Sequence, residues 1–127
     1  MSYSVNKESN GIRIILTGTL TAEDIFRCNR EAFMLDHLES VQWGIWDATQ
    51  VNEVKISKTD ANQTAGLDAT LRANQIPDGL KLALISCAEA LNPIIDEYIQ
   101  TMNYLNSTWE CKRFCDLESA ESWAKSR

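Results

Sequence analysis

An α/β sandwich is the fold this sequence predicts: a mixed sheet of about five strands with an N-terminal hairpin and about four helices, in the order β-β-α-β-α-β-α-β-α. Three observations predict it. Two β-rich runs flank the turn cluster Glu8-Ser-Asn-Gly11 near the start. Further on, apolar runs at 42–47, 80–85 and 109–115 alternate with longer segments whose apolar residues recur at helical spacing. Such alternation calls for parallel strands joined by right-handed crossovers, whereas a short turn makes the first pair antiparallel. The 127 residues suffice for one domain, 1–127, able to bury a core without metal or disulfide.

Each element has its own local reason. Tyr3 to Lys7 alternates Tyr3 and Val5 with polar neighbours, and Ile12 to Thr17 places Ile12, Ile14 and Leu16 at period two. Thr21 reads as the N-cap of a first helix from Ala22 to about Glu39, with Ile25, Cys28, Ala32 and Leu35 on one stripe. Gln42 to Asp47 is a short strand, with Trp43 and Trp46 facing opposite layers of the core. Ser57, with Asp60 three residues on, opens a second helix reaching about Gln75, whose only large apolar residues are Leu67 and Leu71. Pro77-Asp-Gly79 ends it. Leu80 to Ile85 reads as a strand covered on both faces. Asn92 is the expected cap before Pro93, and Ile95, Tyr98, Ile99, Met102 and Leu105 form the apolar stripe of a third helix. Trp109 to Cys115 makes the last strand, and Asp116 caps a final helix through Ala120 and Trp123.

Composition narrows the function classes. Apolar residues at 44% and charged residues at 24% are those of a globular chain. Twelve basic against 18 acidic residues leave a net charge of −6, with no basic run for a nucleic acid or an anionic membrane surface. No apolar stretch approaches the ~18 residues of a membrane span, and the first residues lack the apolar core of a signal peptide. The expected location is cytoplasmic, and the four cysteines then read as reduced thiols.

Catalytic chemistry finds little to work with. His37, near the end of the first helix, and Cys87, after the fourth strand, belong to opposite ends of the sheet, so they form no nucleophile–base pair. Cys111 and Cys115, four apart on a strand, lie about 13 Å apart, too far to share a metal. No phosphate loop, metal set or cofactor motif is present in the sequence. Asp47 is the best single candidate, at the carboxyl edge where open α/β sheets bind ligands, with Thr49, Ser57, Ser86, Cys87 and Glu89 near that edge. A plain cap of the loop after its strand is the simpler role for Asp47. An enzyme using Asp47 with Ser86 or Cys87 is the least favoured reading.

The stretches Ile12-Arg-Ile-Ile-Leu-Thr-Gly-Thr-Leu-Thr21, Ile45-Trp-Asp-Ala-Thr49, Leu82-Ala-Leu-Ile85 and Arg113-Phe-Cys-Asp-Leu-Glu-Ser-Ala120 resemble the STAS superfamily, in particular its SpoIIAA-like branch. The resemblance covers the whole chain. It implies a bacterial, non-catalytic regulatory or protein-interaction module, as in the anti-sigma-factor antagonists. Those proteins carry a phosphorylated serine at the start of the second helix. Here Ser57 is the phosphorylation candidate, although it falls one position after the aligned Ile56 and the motif's glycine is missing. An N-cap is the simpler role for Ser57.

Two further expectations follow. The polar second helix offers Lys58 and Asp68 as charged groups of a docking face for a protein partner. The wider fold group includes binders of apolar or lipid-like ligands, which implies as the alternative a small apolar ligand between the sheet and the third helix, around Ile95, Tyr98, Ile99 and Met102. An exposed sheet edge also allows a homodimer.

Overall fold

The computed structural model describes residues 3–72, 75–76, 78–105 and 107–126. β1 (Tyr3–Glu8) and β2 (Gly11–Thr21) form the expected hairpin, in register from Tyr3↔Leu16 to Glu8↔Gly11. Ile12, Ile14 and Leu16 are buried, as alternation along a strand requires. β3 (Trp43–Lys55) runs parallel to β2 and does not stop at Asp47: it continues for eight further residues. That extension is mostly polar and reads as a loop by hydropathy. What makes it a strand is its ladder with the end of β2, which likewise passes the expected Thr17. The register slips between Ile15 and Thr17 and again between Gly18 and Thr19, and each time β3 carries one more residue than β2. Gly18 takes up the second slip with φ 72°, a conformation that costs little without a Cβ.

β4 (Lys81–Ile85) and β5 (Glu110–Phe114) complete a sheet of order β1-β2-β3-β4-β5, parallel throughout after the hairpin. Strands that follow one another across a sheet in chain order send every right-handed crossover over the same face. α1 (Ala22–Ala32), α2 (Lys58–Leu67) and α3 (Asn92–Tyr104) accordingly share one core with Ile12, Ile14 and Leu84. α4 (Leu117–Ala124) covers the other face, where Ala120 and Ala124 pack on Trp43, Ile45, Ala83 and Ile85. β4 is therefore covered on both sides, as its apolar run predicts.

Three helix starts follow the sequence reading. Thr21 Oγ1 accepts from Asp24 N at 3.2 Å, and Asp116 Oδ1 from Ser119 N at 2.7 Å. Ser57 and Asp60 form a reciprocal capping box, with Ser57 N donating back to Asp60 Oδ2 at 2.9 Å. Each cap contributes about 1 kcal/mol.

Elsewhere tertiary packing overrides the local pattern. α1 ends at Ala32, seven residues before the expected Glu39. Phe33 turns out of the helix to stack on Trp109, ring centroids 5.8 Å apart, and His37 reverses the chain at φ 62° before a 3-10 turn at Leu38–Ser40. α2 ends at Leu67 and passes into a single π-turn, Asp68–Arg72, short of Gln75. Asn92 is the first residue of α3 and not its cap; Leu91 takes that position. With its nitrogen turned toward the 86–88 loop, the Asn92 amide donates to Ser86 Oγ at 3.0 Å and to Ala88 O at 3.1 Å. Expectations that concern Asn74, Pro77 and the Leu71 side chain lie outside the described residues. Among the described residues, no helix is long and apolar enough to cross a membrane.

On the α4 face, Arg13 joins three elements. It donates to Glu8 at 2.7 Å, pairs with Glu121 at 2.7 Å, and lies 5.8 Å from the Trp43 ring centroid. Its guanidinium holds the Glu8 carboxyl below the ordinary 4.5. The ionised carboxylate thus favours the folded chain: its contribution is complete above pH ~4.5, the unfolded value, and disappears as pH falls through the lower native value. Urea midpoints followed downward from pH 7 should drop below pH ~4.5, and Glu8→Gln should flatten part of that drop.

Candidate functional site

A strand order without reversal has no topological switch point, the crevice where open α/β sheets ordinarily hold ligands. Among the described residues the carboxyl edge has no such reversal beside Asp47, and Asp47, Thr49, Ser57, Ser86 and Cys87 each have a local partner. Asp47 is buried inside β3, at the last pair with β4 (Asp47↔Ile85) and at the first register slip. Its Oδ1 accepts from Thr49 N at 2.9 Å and from Thr49 Oγ1 at 2.6 Å. That is the role of a backbone cap, although within a strand and not after one. Ser86 is fully buried, with its Oγ accepting from Ala88 N at 3.1 Å. Roughly 25 Å of further strand separates Asp47 from Ser57, which is exposed and taken up in its capping box. Glu89 is exposed.

The expectation of four reduced thiols is corrected. Cys87 and Cys115 form a disulfide, their Cα atoms 4.9 Å apart. β4 and β5 are parallel neighbours ending on Ile85↔Phe114, so the residues that follow emerge side by side. Cys115 therefore lies beyond β5 and does not share a strand face with Cys111. Cys28 and Cys111 are free; Cys28 is fully buried. Burial, reinforced by Asp68, pushes the Cys111 thiol up to about 12. After gentle reduction of the native protein, iodoacetamide at pH 8 should therefore label Cys87 and Cys115 while sparing Cys28 and Cys111. Mass spectrometry reads the outcome directly. His37 is exposed beside Glu39, at 3.6 Å. Among the described residues, no three His, Cys, Asp or Glu side chains lie close enough to hold a metal.

The space with ligand character lies within the three-helix layer. α2 turns the positions 61, 64, 65 and 68 inward, at the i, i+3, i+4, i+7 spacing of a buried face. The residues there are Ala61, Thr64, Ala65 and Asp68, whereas α1 and α3 contribute Ile25, Ile95, Tyr98 and Met102 to the same core. Small side chains on one wall leave the layer under-filled. Gly44, in the floor of β3, adds no side chain, and even a Cβ there would lie 3.1 Å from Leu82 Cδ1. The result is a cavity of about 90 Å³ between sheet and helices, lined by Ile14, Ile25, Leu84, Ile95 and Trp109 among others. Cavities of this order lined by Leu, Ile and Phe stay dry and take compact apolar molecules: an engineered one of about 150 Å³ binds benzene or xenon.

Few polar groups reach this cavity. Asp68 is 4% exposed and accepts from Tyr98 Oη at 2.6 Å. The expectation that Asp68 belongs to an exposed docking face is therefore corrected: its position in the heptad-like stripe points it into the core, while Lys58 remains outside. Asn29 and Thr64 also line the wall, Thr64 Oγ1 donating to Asp60 O at 3.0 Å. Trp109 is 5% exposed, and its Nε1 has no acceptor among the described residues. The expected pocket residues Ile95 and Tyr98 line the cavity; Met102 is buried in the same core, and Ile99 packs against it. Trp109, Gly44 and the inward positions Ala61, Thr64 and Ala65 were not pocket candidates from the sequence. Ala, Thr, Ala and Asp at helical spacing in an otherwise polar helix is the signal that could have marked the α2 face. No protein-family model matches this chain, and no curated protein matches its sequence significantly.

Proposed function

We propose that this chain is a non-catalytic module of the SpoIIAA-like type that binds one compact apolar molecule between its sheet and its three-helix layer. The observation that carries the reading is the cavity of about 90 Å³ whose α2 wall is built from Ala61 and Thr64. An apolar cavity of that size withholds contacts from its own lining, at about 24 cal/mol per Å³ in measured core deletions. A ligand restores those contacts. The local engagement of Asp47, Ser86 and Cys87 supports a role without catalysis.

The test is thermal unfolding under xenon and with dissolved benzene. A ligand that binds only the folded chain raises the midpoint with concentration, and Ala61→Leu, which fills the wall, should abolish the rise. An unchanged midpoint with both probes would refute the reading. Docking of a protein partner through α2 now has Lys58 and its exposed neighbours as its surface. It is the form that regulation would take if ligand binding is to be read out. Lys58→Glu should then weaken partner binding without changing the response to xenon.

A further inference from the structure

Opening the Cys87–Cys115 bond would leave its two residues where they are, because the backbone on either side of each is fixed by contacts that do not involve sulfur. Before Cys87, Ser86 is fully buried, and its N donates to Phe114 O at 2.9 Å, carrying the ladder one step past Ile85↔Phe114. After it, Ala88 N donates to Ser86 Oγ at 3.1 Å, and the Asn92 amide, its nitrogen toward this loop, donates to Ser86 Oγ at 3.0 Å and to Ala88 O at 3.1 Å. Cys115 stands between Phe114, the last residue of β5, and Asp116, whose Oδ1 accepts from Ser119 N at 2.7 Å as the cap of α4. Ladder and caps thus set the two Cα atoms 4.9 Å apart, within the span that a disulfide requires.

Both cysteines are also exposed, at the carboxyl edge of the sheet. Exposed disulfides are the labile ones, open to attack by a thiolate from solution. The other two thiols of the chain do not compete for them. Cys28 is fully buried, and Cys111, pushed up to about 12, supplies almost no thiolate at neutral pH. Neither Cys87 nor Cys115 lines the cavity, so this site stands apart from the ligand-binding reading.

We infer that Cys87 and Cys115 are a reversible redox site, opened by a dithiol reductant and closed again without unfolding of the chain. A thiolate of the reductant attacks one of the two sulfurs; the S–S bond breaks, and the other cysteine leaves as a thiolate. The reductant's second thiol then attacks its own sulfur in the mixed disulfide, which closes a disulfide in the reductant and releases the second cysteine. Two electrons pass from the dithiol to the pair, and the dithiol's two protons end on Cys87 and Cys115. The reverse reaction, with the oxidised form of the same reagent as acceptor, draws on proximity: a thiol held beside its partner attacks the mixed disulfide as an intramolecular group. The chain thereby alternates between a cross-linked carboxyl edge and one that bears two exposed thiols.

The test equilibrates the full chain with mixtures of reduced and oxidised dithiothreitol, without denaturant, and counts the open pair by iodoacetamide labelling and mass spectrometry. The pair should open and close reversibly while amide resonances away from the two connections keep their native positions. Urea added below the unfolding transition should leave the rate of opening unchanged. A rate that climbs with urea, or a loss of native resonances on reduction, would show that the bond opens only through unfolding and would overturn the inference. Ser86→Ala removes the clamp around Cys87. At a fixed ratio of reduced to oxidised dithiothreitol it should raise the ratio of open to closed pair by about three- to tenfold, the value of one hydrogen bond. An unchanged ratio would mean that the fold does not hold the thiols together, and the inference fails. Should the variant not fold, the urea dependence of the wild-type chain decides.

Discussion

Reducing the Cys87–Cys115 disulfide should lower the unfolding free energy by about 3–4 kcal/mol, the largest loss expected from any single change in this chain. The bond closes a loop across a sequence separation of 28, and a cross-link over that length removes about this much conformational freedom from the unfolded ensemble. It ties the connection after β4 to the connection after β5, the two loops at the carboxyl edge of the sheet. Urea unfolding with and without reductant measures the effect. Cys28 and Cys111 form no disulfide for the reductant to break: Cys28 is buried, and the Cys111 thiol is pushed up to about 12. Cys87→Ser and Cys115→Ser should each show the full loss, and the double variant should add nothing to it. A midpoint indifferent to reductant would mean that the two sulfurs do not bond in solution.

Gly11→Val should be the most damaging substitution away from the disulfide, with a loss of about 3 kcal/mol. Gly11 begins β2 opposite Trp43, and a Cβ built on it would lie 2.0 Å from Trp43 Cε2 and 2.2 Å from Cδ2. Those atoms cannot give way. Trp43 is 3% exposed, its Nε1 donates to Asn10 Oδ1 at 3.1 Å, and Lys125 Nζ sits 4.9 Å from its ring centroid. Forcing extra carbon into a filled site costs about 1–3 kcal/mol even where neighbours relax, and here valine must displace an indole that β1's turn and α4 both use. Denaturant unfolding reads the loss, and Gly11→Ala should show a smaller one. Equal stability of all three chains would show that Trp43 is not seated against Gly11.

Element types were legible in the sequence where the signal is local. Thr21, Ser57 and Asp116 cap their helices with their own side chains, and the alternation of Ile12, Ile14 and Leu16 needs no partner to be recognised. What failed was non-local. The end of β3 is mostly polar, with Ala48, Val51 and Val54 its only apolar residues, and its ladder with Thr17 to Thr21 makes it a strand. α1 stops at Ala32 because Phe33 finds Trp109, 76 positions away. Cys87 and Cys115 meet because two parallel strands end level, a register that spacing does not reveal. The site was half legible. Ile95 and Tyr98 stood out as an apolar stripe, but a stripe cannot say whether a core is full or hollow. The poverty of α2 in large side chains was visible and read as an outward, polar face; its inward line of Ala61, Thr64, Ala65 and Asp68 is instead a thin wall.

The unreversed order of the sheet also bears on how the chain is made. Every strand after the first joins an edge left open by the strand translated just before it, so no segment must wait on the ribosome for a distant partner. The helix layer grows with the sheet, one crossover at a time. The opposite face does not. Trp43, Ile45 and Ile85 remain bare until α4 emerges, after all five strands, and lays Ala120 and Ala124 upon them. A nascent chain halted before Leu117 thus carries a finished sheet with one greasy side, the kind of surface that chaperones hold.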